Sequence, residues 1–214
     1  RVWSEDELAQ VLEICARHGV LTVSDEIHQD ILPGDKPFVP AAMVKGGRYR
    51  DGLIILNSAT KTFNLATLLH SHIIIPSAQL RKHYDAFAAG MNRTEVSLLG
   101  ALATQTGYEQ GADWLDGMLS TVRHNYKMLK TTLQEALPDV TVCALEGTYL
   151  VMVDLRSCVP PAAIHTFIQD RCRLAVDYGE WFGEGYQGFV RLNLATDPAL
   201  IKEAASRIIQ ALQA

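Results

Sequence analysis

The sequence predicts an α/β protein: part of a mainly parallel sheet, a helical middle, and an α+β region towards the C-terminus. Three observations carry that expectation. Short apolar runs at residues 20–23, 53–56 and 72–75 are separated by long connections, as parallel strands joined by crossovers are. Helical apolar spacing then takes over between residues 80 and 136. Beyond Pro138, strand-like and helical patterns alternate at short range.

Ser4-Glu5-Asp6-Glu7 has the form of a capping box, with Ser4 as N-cap, Glu7 reaching back and Trp3 placed to staple onto Leu8. Leu8, Val11, Leu12 and Cys15 follow at helical spacing, and Gly19 is placed to close the helix. Residues 20–23 read as a short buried strand ending at Ser24-Asp25-Glu26-Ile27-His28. Pro33, Gly34, Pro37 and Pro40 make a loop, and 53–56 and 72–75 are the next two strands, the latter stopped by Pro76. Helices are expected over 80–87, 94–108 and 113–136. The last carries the stripe Leu115, Met118, Leu119, Val122, Tyr126, Leu129 and Leu133, and its length suits a bridge between domains. Strands follow at 140–145, 150–155 and 174–177, with a helix at 162–172. A glycine-rich loop at 179–188 leads into a strand at 189–194, and a final helix spans 198–212.

Composition narrows the function classes. A 214-residue chain has length for one large or two small domains with a real core. Its net charge of −5 leaves no electrostatic footprint for nucleic acid or an anionic membrane, and no apolar run reaches the length of a span. Cys15, Cys143, Cys158 and Cys172 show neither CxxC spacing nor a disulfide framework, so a reducing, cytoplasmic setting is expected. No His/Cys/carboxylate cluster has metal-ligand spacing, and no GxSxG or Walker pattern occurs; the glycines of 179–188 do not open a helix, so a dinucleotide reading is weak.

The chemistry gathers on three segments. Lys61, in Ser58-Ala59-Thr60-Lys61-Thr62-Phe63-Asn64, follows an apolar strand, where α/β proteins keep their sites; a neutral lysine amine there can form a Schiff base with a carbonyl. Asp25 ends its own strand, and if the two strands are parallel it lies at the same sheet edge, where its charge can keep a ring nitrogen protonated. In Phe189-Val190-Arg191-Leu192-Asn193-Leu194, alternation turns Val190, Leu192 and Leu194 one way and Arg191 the other; a guanidinium suits a carboxylate through two parallel hydrogen bonds. Taken singly, each has a plain alternative: a surface charge, a solvated turn, the polar face of an edge strand. Together, an imine-forming lysine, an acidic partner for a ring nitrogen and a carboxylate-gripping arginine call for pyridoxal phosphate and an amino acid.

In this combination the chain resembles the fold-type I pyridoxal-phosphate enzymes of the aminotransferase class I/II family. Asp25 lies 36 residues before Lys61 and Arg191 lies 130 after it. The Asp-Glu-Ile-His and Thr-Lys-Thr-Phe-Asn wording, with Trp181-Phe182-Gly183 before the arginine, is most similar to the cystathionine β-lyase-like C–S lyases. The resemblance implies that Lys61 is the catalytic Schiff-base lysine, that Asp25 pairs with the pyridine nitrogen, and that His28 lies near the cofactor's O3′. It further implies that Ser58 and Thr60 contact the phosphate and that Arg191 binds the substrate carboxylate. Leu69 stands where many relatives have a phosphate-binding arginine. The resemblance covers only the C-terminal part of the family: residues 1–115 as the latter portion of the cofactor-binding large domain and 116–214 as the small domain. A glycine-rich phosphate turn and a ring-stacking aromatic are therefore expected upstream, and this chain alone is expected to lack a complete site. The implied activity is a C–S β-lyase, with an aminotransferase as the nearest alternative and a non-catalytic aminotransferase-like regulator as the other. A homodimer is the expected assembly, with residues 90–95 near the partner; neither nucleic acid nor membrane is an expected partner.

Overall fold

A computed structural model describes residues 1–93 and 95–213. Helix α1 (Glu5–Arg17) begins where its caps place it: Ser4 Oγ accepts from the Glu7 N–H at 3.4 Å, and Glu7 Oε2 accepts from the Ser4 N–H at 2.9 Å. It ends at Gly19, which takes a left-handed φ of 63°. The Val20 N–H can then reach the Cys15 carbonyl at 2.8 Å, satisfying one of the helix's last acceptors.

Strand β1 (Thr22–Asp25) runs parallel to β2 (Leu53–Asn57), in a register pairing Thr22 with Leu53 and Asp25 with Leu56. The crossover between them folds back over the sheet, and Ala41 and Val44 join Ala9, Leu12 and Leu53 in a small core. Glu26 fixes this crossover: its N–H donates to the Leu56 carbonyl, and its buried carboxylate accepts from Ser24 Oγ and the Ala41 N–H, both at 2.9 Å.

Two expectations change here. The third strand, β3 (His72–Ile74), pairs antiparallel with β2, so the three-stranded sheet, ordered β1-β2-β3, mixes one parallel and one antiparallel pair. A short helix, α2 (Ala59–Thr62), and a following 3₁₀ turn (Ala66–Leu68) reverse the chain between β2 and β3, and nothing in a short apolar run specifies direction. Nor is residue 20–23 a buried run. Val20 and Leu21 precede β1 and are exposed; Val23 on β1 and Ile73 and Ile74 on β3 are exposed too, on the two edge strands of the sheet.

Serines cap the next two helices. Ser77 Oγ accepts from the Leu80 N–H ahead of α3 (Ala78–Gly90), and Ser97 Oγ from the Gly100 N–H ahead of α4 (Leu98–Gln110). The helix expected from residue 94 thus starts four residues later; Thr94 itself, within the 90–95 segment, lies outside the described residues. Helix α5 (Ala112–Ala136) buries Leu119, Val122, Asn125, Leu129 and Leu133.

The chain divides into two compact units, residues 2–116 and 117–214, the latter grouped with Arg1. The second unit holds an antiparallel sheet of order β4-β5-β7-β6, formed by β4 (Thr141–Val142), β5 (Leu150–Asp154), β6 (Asp177–Tyr178) and β7 (Phe189–Asn193). The single helix expected at 162–172 is instead a 3₁₀ turn (Pro161–Ala163), a short α6 (Ile164–Thr166) and a π turn (Phe167–Arg171). Its core joins Leu129 and Leu133 to Val151, Val153, Ile168, Val190, Leu194 and, from α7 (Pro198–Gln213), Ile208.

The fully buried Asn125 pins the end of β7 to α5: its Nδ2 donates to the Leu194 carbonyl at 2.9 Å and the Thr196 carbonyl at 2.8 Å. Asn125→Leu keeps the branched shape but leaves both carbonyls without that donor. We expect a loss of about 1–3 kcal/mol, read as a lower urea midpoint at unchanged slope.

Candidate active site

Lys61 sits on α2, which begins directly past the carboxyl end of β2. Ser58 is its N-cap and is buried; Ser58 Oγ accepts from the Thr60 N–H at 3.1 Å, donates to the His70 carbonyl at 2.7 Å, and lies 2.6 Å from Thr60 Oγ1. The two hydroxyls expected at the cofactor phosphate are therefore neighbours on one short turn. Leu69 takes a left-handed backbone (φ 48°) with its side chain 89% exposed, so the position carries no cation and packs against nothing extensive.

The parallel register does the work of bringing Asp25 to this edge. Asp25 pairs with Leu56, one residue before the end of β2, so the carboxyl ends of both strands open on the same side of the sheet. The Asp25 side chain is exposed, with Oδ1 accepting from the Ile27 N–H at 3.3 Å. His28 is half-buried in the turn that follows, its carbonyl accepting from the Ile31 N–H. Among the described residues, Lys61 makes no hydrogen bond or ion pair, which leaves its amine available.

One anchor was not foreseen in the sequence. Asp30 Oδ2 accepts from Thr62 Oγ1 at 2.8 Å and from the Tyr108 hydroxyl at 3.2 Å. Thr62 is fully buried and adjacent to Lys61, so this carboxylate clasps the lysine's helical turn to the β1 turn and to α4. Partial burial, then the Asp30 charge, raise the Tyr108 phenol above its ordinary pKa, which keeps it a donor. The Tyr108 ring meets Phe63 edge-on at 5.6 Å, and Gly107 lets it approach: a Cβ there would come within 2.7 Å of the Phe63 ring. Asp30, two residues past His28, was the only available sequence signal for the clasp. Its partners lie 32 and 78 residues away, out of reach of any local pattern.

In the second unit, β7 alternates as expected: Val190 and Leu192 are buried, whereas Arg191 is half-buried and Asn193 exposed on the other face. Arg191 is engaged by Asp177, which the sequence reading did not single out: Nε and Nη2 both donate to Asp177 Oδ2, at 2.9 and 2.7 Å. Arg191 belongs to one compact unit, and Asp25, His28, Ser58, Thr60 and Lys61 belong to the other. Among the described residues there is no group of three His, Cys, Asp or Glu that could hold a metal, and no helix long and apolar enough to cross a membrane.

The family model for aminotransferase class I and II matches residues 1–208. Protein MalY of Escherichia coli K12 is 30% identical across 100% of this chain and 54% of its own length. Cystathionine beta-lyase PatB of Bacillus subtilis 168 is 30% identical across 99% of this chain and 55% of its own. The crystal structure of the PLP-bound C–S lyase from Staphylococcus hominis superposes with a TM-score of 0.90 at 31% identity, over 99% of this chain and 54% of that one. The chain thus spans about half the length of the curated relatives it matches.

The Asp30 clasp predicts an asymmetry. Asp30→Ala strands the fully buried Thr62 hydroxyl and should cost about 1–3 kcal/mol, whereas Thr62→Val removes that hydroxyl along with its need for a partner and should cost less. Thermal unfolding of the two variants side by side checks the order.

Proposed function

Because the chain belongs to the aminotransferase class I and II family, we propose that it is the C-terminal portion of a pyridoxal-phosphate-dependent C–S β-lyase acting on cystathionine or related cysteine conjugates. One observation carries the reading. Lys61 and Asp25 share the carboxyl edge of a parallel strand pair, in a chain similar over nearly its whole length to a cystathionine β-lyase and a C–S lyase.

The donor set fits pyridoxal phosphate. Lys61 offers an amine without an ion pair among the described residues for covalent attachment, Asp25 an exposed carboxylate for the pyridine nitrogen, and Ser58 and Thr60 adjacent hydroxyls that would turn from the His70 carbonyl and from each other to the phosphate. His28 belongs to the same turn as Asp25 and is assigned to the O3′ side. The further phosphate turn and the stacking aromatic are assigned to sequence upstream of Arg1 in a longer protein, which we take to be a cytoplasmic homodimer. When bound, the cofactor supplies an electron sink for the substrate's α-carbon.

What this chain's residues do follows from their chemistry. Lys61 would hold the cofactor through its amine and, once free of it, would serve as general base for the substrate's α-proton. Asp25 keeps a proton on the pyridine nitrogen, since an opposite charge nearby favours the cation. Arg191 orients the α-carboxylate through parallel hydrogen bonds. The electron pair left at the α-carbon would form a Cα–Cβ double bond as the Cβ–S pair departs on sulfur, which picks up a proton as the free thiol. Hydrolysis of the remaining three-carbon unit gives pyruvate and ammonia.

Incubating the full-length protein with cystathionine should release pyruvate and thiol in equal amounts. Amino transfer that requires a keto acid and frees no thiol would overturn the lyase reading in favour of an aminotransferase. Lys61→Ala should lower kcat/KM by about 10²–10⁴-fold, the range for losing a positioned acid–base group. It should also leave no cofactor attached to residues 58–64 after borohydride reduction, as read by peptide mass spectrometry.

A further inference from the structure

Arg191 is held on two sides. Strands β6 and β7 are antiparallel in a register that sets Asp177 directly opposite Arg191, so the two side chains share one face of the sheet. Both Nε and Nη2 spend a hydrogen on the single oxygen Oδ2, which occupies one edge of the guanidinium. Its face lies over the Phe182 ring, with Cζ 4.6 Å from the ring centroid. Phe182 reaches that position from the 3₁₀ turn Gly179–Phe182, which follows β6 without a gap. The turn requires glycine at its start: a Cβ on Gly179 would lie 2.1 Å from the Tyr186 carbonyl oxygen and 2.7 Å from Phe189 Cβ.

What remains of the guanidinium is its other edge. Nη1 makes no hydrogen bond among the described residues, and Nη2 has a second N–H beyond the one given to Asp177. These donors form a second parallel fork, coplanar with the first because the group is rigid and delocalised. A flexible side chain would lose rotamer freedom on gripping a ligand; one already clamped at an edge and a face does not.

We infer that Asp177 is a positioning residue for the carboxylate anchor: together with Phe182 it fixes the Arg191 plane so that the Nη1–Nη2 edge is presented to the substrate's carboxylate. This rests on the proposed role of Arg191 as that anchor. The carboxylate of Asp177 also carries a charge that opposes an incoming anion, but both side chains are partly exposed (29% for Arg191, 40% for Asp177), so solvent screens that repulsion and orientation dominates. Asparagine can still accept both N–H groups through its amide oxygen, whereas alanine cannot, so the two substitutions separate geometry from charge.

The test uses the full-length protein and two probes that lack an amine and so do not react with Lys61 or its cofactor: propionate and propionamide, with affinities measured by NMR titration. Asp177→Ala should weaken propionate binding about 5- to 20-fold and leave propionamide unmoved; Asp177→Asn should recover most of the loss. Asp154→Ala, which breaks the comparable Asp154–Arg156 pair elsewhere on the unit, should leave the acid–amide preference as it is. Tighter propionate binding in both Asp177 variants would overturn the inference by making Asp177 a competitor of the substrate. Equal weakening of acid and amide would overturn it by making the role merely structural. Arg191→Ala distinguishes the two levels. If it leaves the acid–amide preference intact, the anchor reading fails and the inference with it; if it abolishes the preference while Asp177→Ala does not reduce it, only the inference fails.

Discussion

The parallel register of β1 on β2 is the constraint from which the candidate site follows. Two parallel strands need a crossover, and that crossover returns the chain to the starting edge so that both carboxyl ends open on one side. Asp25 and the Lys61 turn meet there for topological reasons, whatever their side chains are. The buried Glu26 carboxylate holds the crossover at its first residue, and the Asp30 carboxylate holds the lysine turn a few residues later. Three acidic residues within one short segment thus divide the labour: Glu26 and Asp30 are consumed by structure, and Asp25 alone faces outward from the sheet's end.

Much of this was legible in the sequence wherever the governing interaction is local. The Ser4–Glu7 capping box, the closure of α1 at Gly19 and the facing of Arg191 depend on residues within a few positions of each other, and each is present. Strand direction was not legible: β3 turned out antiparallel because the α2 turn reverses the chain, and an apolar run looks the same in either direction. Burial at 20–23 was overestimated for a related reason. Hydrophobicity says that a run prefers to be covered, whereas exposure depends on whether a neighbouring strand is present.

The candidate residues show the same division. Lys61, Asp25 and Arg191 could be picked out as candidates because the three residue types together suit one cofactor and substrate, although each alone has a plainer reading. Asp177 and Asp30 could not, since an aspartate acquires its meaning only from its partner. For Asp177 the partner arrives through the β6–β7 register; for Asp30, through the packing of α4 on α2. A lone charged residue at the end of the apolar stretch Leu174-Ala175-Val176 was the faint signal of the first.

The exposed rims of the first sheet carry a practical lesson for handling the protein. Edge strands present rows of unpaired backbone donors and acceptors, and natural proteins blunt them with lysines, prolines or bulges. Here Val23 on one rim and Ile73 and Ile74 on the other are apolar and solvent-facing. Expressed as these 214 residues, the chain therefore invites edge-to-edge pairing between molecules, and inclusion-body formation at high yield is the behaviour its sheet geometry favours. A single lysine in place of Val23 is the smallest change that would discourage such stacking without touching Asp25.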